Sequence, residues 1–138
     1  SPGIRSIALC RTQITDRGVQ SLCGHASLVE LSLSGTCISD NSMKCIGQMS
    51  QLYFLDVADT EISDRGIHVI EHLENLSYLD IRRTRISDAG ARTLLSRPLV
   101  VLRASKRQFS QAIIDEIDVT FGGDWEEEEL GSIWDSHW

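Results

Sequence analysis

The sequence predicts an α/β fold: a right-handed solenoid of about five units, with a parallel sheet on its concave face and short helices on its convex face. Two observations lead to this prediction. A short phrase recurs every 24 residues, and apolar residues stand at fixed offsets around each copy. Units repeated at such a period bury their apolar sides only against their neighbours, so the repeat decides the architecture. The four copies read T-x-I-[ST]-D and begin at Thr12, Thr36, Thr60 and Thr84.

A strand is predicted ahead of each phrase, because apolar residues there alternate with a period of two. In the third unit, Leu55 and Val57 are apolar, and Phe54 and Asp56 alternate with them. Successive strands would pair in parallel, and the alternate side chains would face outward from the concave sheet. The buried strand positions are Ile7, Leu9, Leu31, Leu33, Leu55, Val57, Leu79 and Ile81.

A short helix is predicted after each phrase, because the next apolar residues are three apart, as on one helical face. These pairs are Val19 and Leu22, Met43 and Ile46, Ile67 and Ile70, and Ala91 and Leu94. A Ser or Thr followed by Asp stands where each helix should begin, which supplies an N-cap and negative charge at the helix start. The N-caps are Thr15, Ser39, Ser63 and Ser87. Glycine recurs one position before the buried helical residue, which indicates close approach of two backbones, at Gly18, Gly66 and Gly90.

A fifth unit is one residue short. Its apolar positions are Leu99, Leu102, Ala104 and Phe109, and Arg107 takes the position of the Thr. We assign residues 1–121 to the repeat domain and residues 122–138 to an acidic, Trp-rich tail or cap. Because no polar capping unit precedes the first repeat, we expect the repeats to be the C-terminal part of a longer solenoid.

The full frame, L-x-x-L-x-L-x-x-T-x-I, resembles that of the leucine-rich-repeat family, with Thr where Asn or Cys is usual. The T-x-I-[ST]-D-x-G units are similar to those of F-box-type leucine-rich-repeat proteins and of ribonuclease-inhibitor-like solenoids. The resemblance implies a non-catalytic module that recognises a protein on its concave face. One specific role that it implies is substrate reading within a ubiquitin ligase.

The composition favours a cytoplasmic interaction module without a cofactor. The 138 residues have 41% hydrophobic content and a formal net charge of -7, and no apolar run is long enough to span a membrane. The four cysteines, Cys10, Cys23, Cys37 and Cys45, occupy unrelated positions of the repeat. We therefore expect reduced thiols in a reducing compartment.

One segment, His68–His72, reads H-x-x-E-H, a pattern in which two histidines hold zinc and a Glu acts on water. In the repeat frame, however, Ile67, Ile70 and Leu73 take the buried positions. We expect both histidines to face solvent on the convex side, where no cleft excludes water. No phosphate-binding glycine loop and no nucleophile elbow is found either, so the sequence predicts neither an enzyme nor a metal site.

The candidate binding residues lie between the leucines of the strands, on the predicted concave face. Phe54 and Tyr78 fall at equivalent positions of adjacent strands, and Tyr53 precedes Phe54. Aromatic side chains beside charges are typical of protein-binding hot spots. The alternative is that these rings only cover the sheet. The predicted concave site consists of Tyr53, Phe54, Asp56, Tyr78, Asp80, Arg82 and Arg103.

Charge is segregated along the chain. Eight of the 13 basic residues lie between Arg82 and Arg107, and none follows Arg107. Arg83, Lys106 and Arg107 are predicted to form a basic rim beside the last two units. Such a rim attracts phosphate backbones, but the net charge of -7 and the acidic tail disfavour nucleic acid and favour a protein or peptide partner.

The tail combines acidic residues with tryptophans, which is not the composition of a solvated linker. In one interpretation, Phe121 and Trp125 cap the core edge of the last unit. In a second, the tail folds back over the basic rim in an intramolecular contact. In a third, it docks as a linear motif on another protein, and the chain is a scaffold. The tail residues concerned are Trp125, Glu126, Glu127, Glu128, Glu129, Trp134 and Trp138.

Overall fold

The computed structural model describes residues 3–23, 25, 27–97 and 99–126. The strands are β1 (Ser6–Ala8), β2 (Glu30–Ser32), β3 (Phe54–Asp56), β4 (Tyr78–Asp80), β5 (Val101–Ala104) and β6 (Gly123–Trp125). The α-helices are α1 (Asp16–Gln20), α2 (Met43–Ile46), α3 (Asp64–Ile67), α4 (Asp88–Ser96) and α5 (Gln111–Thr120). Three 3-10 helices span Asp40–Ser42, His68–His72 and Lys106–Gln108.

The six strands form one sheet in the order β1-β2-β3-β4-β5-β6, and every neighbouring pair is parallel. The register places residues one repeat apart side by side, so Leu31 lies beside Leu55 and Leu55 beside Leu79. This ladder confirms the predicted parallel sheet. It also continues into β6, which starts at Gly123, beyond the end of the predicted repeat domain at residue 121.

The core lies between the sheet and the helices. Leu31, Leu55 and Leu79 from the strands and Ile46 and Ile67 from the helical segments are fully buried. In the first unit, the equivalent strand residue Ile7 is only partly buried, because β1 has a neighbour on one side only among the described residues. Among those residues no helix combines the length and the apolarity that crossing a bilayer requires.

The Asp of each phrase binds the next unit rather than its own helix. Asp40 accepts a hydrogen bond from the Ser63 backbone N–H at 2.7 Å, and Asp64 accepts one from the Ser87 backbone N–H at 2.7 Å. Ser63 Oγ caps its own helix by accepting from the Arg65 N–H at 3.3 Å, whereas Ser87 makes no such bond. The four predicted N-cap positions are therefore confirmed, but only the side chains of Ser39 and Ser63 accept a capping hydrogen bond, and those of Thr15 and Ser87 do not. The carboxylate of the preceding unit supplies capping at Ser39, Ser63 and Ser87.

Two of the recurring glycines lie where the Asp of the preceding unit arrives. A Cβ atom would clash with the carboxylate of Asp40 at Gly66 and with that of Asp64 at Gly90, whereas at Gly18 it would meet the Ile14 side chain. The glycines therefore do lie at close approaches, but the approaching atoms belong to side chains and not to a second backbone as predicted. The second unit has Ser42 at this position, and its hydroxyl donates to Asp16 Oδ1 at 2.5 Å.

The Thr of each phrase closes the turn after a strand. Thr60 Oγ1 donates to the Val57 carbonyl at 2.6 Å, and Thr84 Oγ1 donates to the Ile81 carbonyl at 2.8 Å. In the fifth unit, the register of β4 and β5 pairs Asp80 with Arg103, so the missing residue lies before β5 and Arg107 takes the position of the Thr, as predicted. The neighbouring Gln108 reaches back to the turn of the fourth unit, where its Nε2 donates to Thr84 Oγ1 and to the Ile81 carbonyl, both at 3.0 Å.

The cysteines depart from the expectation of four reduced thiols. Cys23 and Cys45 form a disulfide, whereas Cys10 and Cys37 are free and exposed. Cys23 follows α1 and Cys45 lies in α2, and stacking of the two units brings their Cα atoms to 5.3 Å, within the range for a disulfide. Disulfides persist mainly in oxidising compartments, so the cysteines no longer argue for the predicted cytoplasmic location.

Candidate protein-binding face

The face of the sheet turned away from the helices, here called the open face, carries two rows of side chains set by the register. One row follows the first outward position of each strand, and the other follows the second. The first row consists of Ser6, Glu30, Phe54, Tyr78 and Val101. The second consists of Ala8, Ser32, Asp56, Asp80, Arg103 and Asp124.

Two aromatic rings stack in the first row. The centroids of Phe54 and Tyr78 are 4.3 Å apart and the ring planes differ by 12°. Both residues are half-buried, whereas the neighbouring Leu55 and Leu79 point into the core and are fully buried. Tyr53, just before β3, is 53% exposed. The structure therefore stacks two of the three predicted aromatics, Phe54 and Tyr78, at the centre of the sheet, and among the described residues Tyr53 makes no ring contact with them.

Asp56 lies next to this aromatic pair, in the second row. Its Oδ1 accepts from the Ala58 N–H at 3.0 Å, and its Oδ2 accepts from Ser32 Oγ at 3.4 Å. Burial raises the pKa of the Asp56 carboxyl, and the charge of Asp80 raises it further, against the opposing effect of the hydrogen bond from Ala58. Within the described part of the chain Asp56 forms no ion pair.

Asp80, unlike Asp56, is buried beneath the Arg82 side chain. Only 1% of Asp80 is exposed to solvent, and Arg82 Nε donates to its two carboxylate oxygens at 3.0 and 3.1 Å. Arg103 Nη1 lies 4.0 Å from Asp80 Oδ2. Arg103 Nε is also 3.1 Å from Asp124 Oδ2, without the alignment of a hydrogen bond. On this side of the face, Asp80, Arg82 and Arg103 therefore compensate one another.

The predicted basic rim is likewise paired at Arg83. Its Nη2 donates to Asp59 Oδ2 at 2.7 Å, and its Nη1 forms an ion pair with Glu126. The hydrogen bond from Arg83 holds the pKa of Asp59 below its ordinary value. Lys106 and Arg107 lie exposed in the 3-10 helix after β5. The rim residues thus lie at the edge of the sheet where the parallel strands end. At Arg83, however, the positive charge is neutralised by the carboxylates of Asp59 and Glu126.

The first tail residues lie against the last unit. Trp125 and Phe121 are partly buried and pack on the core, and the Trp125 ring meets Phe109 edge-on at a centroid distance of 6.1 Å. Trp125 Nε1 donates to Asp118 Oδ1 at 2.9 Å. Glu126 accepts from Ser105 Oγ at 2.6 Å. The other predicted tail residues, Glu127, Glu128, Glu129, Trp134 and Trp138, lie outside the described residues.

The H-x-x-E-H segment does not form a helical metal motif. His68–His72 is a 3-10 helix, and with three residues per turn the two histidines point in different directions. Both side chains are exposed, as predicted. Within the described residues, no group of three or more His, Cys, Asp or Glu is arranged to hold a metal ion.

Sequence reasoning did not include Glu30 among the site residues, although it precedes Phe54 in the first row and is exposed. The signal that identifies it is its position, one repeat ahead of Phe54. Sequence reasoning also placed Asp80 on the accessible surface. The structure buries it, because Arg82 is only two residues further along and folds back onto it.

The strand ladder and the repeat pattern together place the fold in the class of leucine-rich-repeat solenoids. Comparison with known protein families points to the same repeat. The model of the Leucine Rich repeat family matches residues 24–47 and 72–95, which correspond to two of the units. The match bears out the leucine-rich-repeat resemblance for those two units. The open face of the sheet is accordingly the predicted concave face.

A search of curated proteins finds no match. Among solved structures, the chain is similar to internalin C2 of Listeria monocytogenes, with 17% identity over 90% of this chain and 74% of that one, at a TM-score of 0.49. It is also similar to an internalin, InlF, of the same organism, with 12% identity and a TM-score of 0.39. That alignment covers 88% of this chain and 46% of the internalin.

Proposed function

We propose that this chain is a non-catalytic recognition module that binds a protein partner on its open face, around Phe54 and Tyr78. The observation that carries the proposal is the stacked pair of rings on the solvent side of the sheet, with centroids 4.3 Å apart. The leucine-rich-repeat fold supports it, because stacked repeats present an extended concave surface suited to protein partners.

The position of these rings is not required by the core. Strands alternate their side chains between two faces, and Leu55 and Leu79 already fill the inner face. Large rings on the outer face contribute packing area and rigidity at a low entropic cost, which is what an interface centre requires. The competing interpretation, that the rings only cover the sheet, predicts no binding at this position.

Alanine substitution at Phe54 and Tyr78 tests the proposal. We expect the double variant to remain folded, losing about 1 kcal/mol of stability with the stack, and to lose capture of its partner. Thermal unfolding and pull-down with mass spectrometry on the full-length protein measure the two effects. Val119→Ala is the matched control, because Val119 is 87% exposed on α5, away from the open face. Unchanged capture by the double variant would refute the site.

A second candidate function is a scaffold unit whose tail caps the solenoid or docks on another protein. The packing of Trp125 against Phe109 favours the capping part of this candidate. A chain that ends after Glu126 keeps those contacts and removes the rest of the tail. Intact folding with lost partners would support a docking motif in residues 127–138, whereas retained partners would exclude one.

A further inference from the structure

We propose that the open face accepts a cationic side chain, an Arg or Lys of the protein partner, against Phe54 and between the carboxylates of Glu30 and Asp56. This inference rests on the proposed function and specifies the chemistry of the partner. It follows from the charge balance of the face, from the placement of the Phe54 ring and from the environment of Asp56.

The open face divides into a compensated half and an uncompensated half. In the half formed by β4 to β6, Asp80 pairs with Arg82, and Arg103 lies beside Asp124. In the half formed by β2 and β3, neither Glu30 nor Asp56 forms an ion pair with any described residue. Two carboxylates therefore stand beside the aromatic pair without a basic group of the described residues at ion-pair distance, although the charge of Arg82 acts on Asp56 from further away.

The Phe54 ring lies between Tyr78 and Glu30 in the first row. Neighbouring strands are about 4.8 Å apart, close to the stacking distance of the two rings, so the ring normals run roughly along the row. One face of Phe54 is covered by Tyr78, and the other is directed towards β2, where Glu30 stands. Asp56 is two residues along the same strand, about 7 Å away on the same face.

A cation placed against the β2 side of Phe54 would thus meet three favourable groups at once. The aromatic face attracts it through the ring quadrupole, and the two carboxylates lie within reach of an ammonium or guanidinium group. An acidic partner group at the same position would be repelled by Glu30 and Asp56. The face therefore selects the sign of the partner's charge as well as its shape.

The environment of Asp56 adds to this selectivity. Burial of its carboxyl and the charge of Asp80 raise its pKa and outweigh the opposing effects of the hydrogen bond from Ala58, the charge of Arg82 and the hydrogen bond from Ser32. Its charged form is therefore only partly compensated in the free protein. A bound cation would supply the missing compensation. Asp56→Asn keeps an oxygen that can accept from the Ala58 N–H, so the variant removes the charge while leaving the strand turn intact.

The direct test uses N-acetyl-triarginine amide as the probe, followed by NMR of the aromatic rings and side-chain carboxyl groups. We expect shifts at Phe54, Glu30 and Asp56, and about tenfold weaker binding to the variant E30Q/D56N. Phe54→Leu, which keeps an apolar side chain but removes the ring face, should also weaken binding. N-acetyl-trilysine amide should bind at the same residues, and the triglutamate peptide should not.

The matched control is E71Q/E116Q, which removes two exposed carboxylates from the helical side of the molecule. It should bind the arginine peptide as the unaltered protein does. If E71Q/E116Q weakens binding as much as E30Q/D56N, or if the triglutamate peptide shifts the same residues, the cation site is refuted.

The failure of this inference can be separated from the failure of the proposed function. If the Phe54→Ala and Tyr78→Ala double variant loses its partner while E30Q/D56N captures it unchanged, the binding face stands and the cationic contact is wrong. If the arginine peptide binds as expected but the alanine double variant still captures its partner, the face binds cationic groups, but the proposed recognition surface is wrong and the cation is not one supplied by that partner.

Discussion

At the residue scale, one Asp per phrase joins each unit to the next. Asp16 accepts from the Ser39 N–H at 2.8 Å, and from Ser39 Oγ and Ser42 Oγ at 2.5 Å each. Burial alone would raise the pKa of Asp16, but the hydrogen bonds from Ser39 and Ser42 outweigh it and hold the pKa below its ordinary value. The ionised carboxylate therefore stabilises the start of the next helical segment.

We expect Asp16 to contribute to loss of stability in acid. Because its folded pKa is below the unfolded value near 3.8, its contribution is complete above that pH and is lost as the pH falls through the folded pKa. Asp16→Asn should lower the free energy of unfolding by about 1 kcal/mol near neutral pH. It should also make that free energy fall less steeply as the pH is lowered. Urea unfolding across the acid range measures both, with Glu116→Gln as control. If the free energy of unfolding of the variant falls with pH as steeply as that of the unaltered protein, the prediction is contradicted.

At the element scale, the strands were predictable from the sequence and the irregular turns were not. The period of 24 residues determines which leucines share a row, and an apolar spacing of three indicates a helical segment. That spacing is equally compatible with α- and 3-10 hydrogen bonding, so it could not predict the 3-10 helix His68–His72. Cys23 and Cys45 are 22 residues apart, not a whole repeat, so the repeat frame alone did not pair them.

The Cys23–Cys45 disulfide links the segment after α1 to α2, in the two units beside β1, which has one strand neighbour among the described residues. We expect titration of the unfolded, unreduced protein to find two thiols, those of Cys10 and Cys37. Reduction, or replacement of Cys23 and Cys45 by Ser, should lower the free energy of unfolding by about 3 kcal/mol, because the loop closed in the unfolded chain is opened. Cys37→Ser is the matched control for chemical unfolding. Four reactive thiols without reductant would contradict the disulfide.

At the scale of the whole molecule, the repeat frame predicts the rows of the open face but not how their side chains pair. The positions of Phe54, Asp56 and Tyr78 follow from strand alternation and register. The burial of Asp80 under Arg82 depends on side-chain conformations that no period encodes. The sequence therefore identifies the candidate face, and the structure separates its compensated half from the half where Glu30 and Asp56 stand.

β6 is the last strand among the described residues, and we expect Trp125 to cover the core edge there. Trp125→Ala should destabilise the protein by about 2 kcal/mol, because a half-buried ring leaves the core and Phe109 loses its edge contact. Repeats interact mainly with their neighbours, so the loss should be local. Hydrogen exchange should show reduced protection in α5 and β5 with β2 and β3 unchanged. Trp125→Phe, which keeps an aromatic ring, should recover most of that protection. Uniform loss across all strands, or no loss at all, would contradict a capping role.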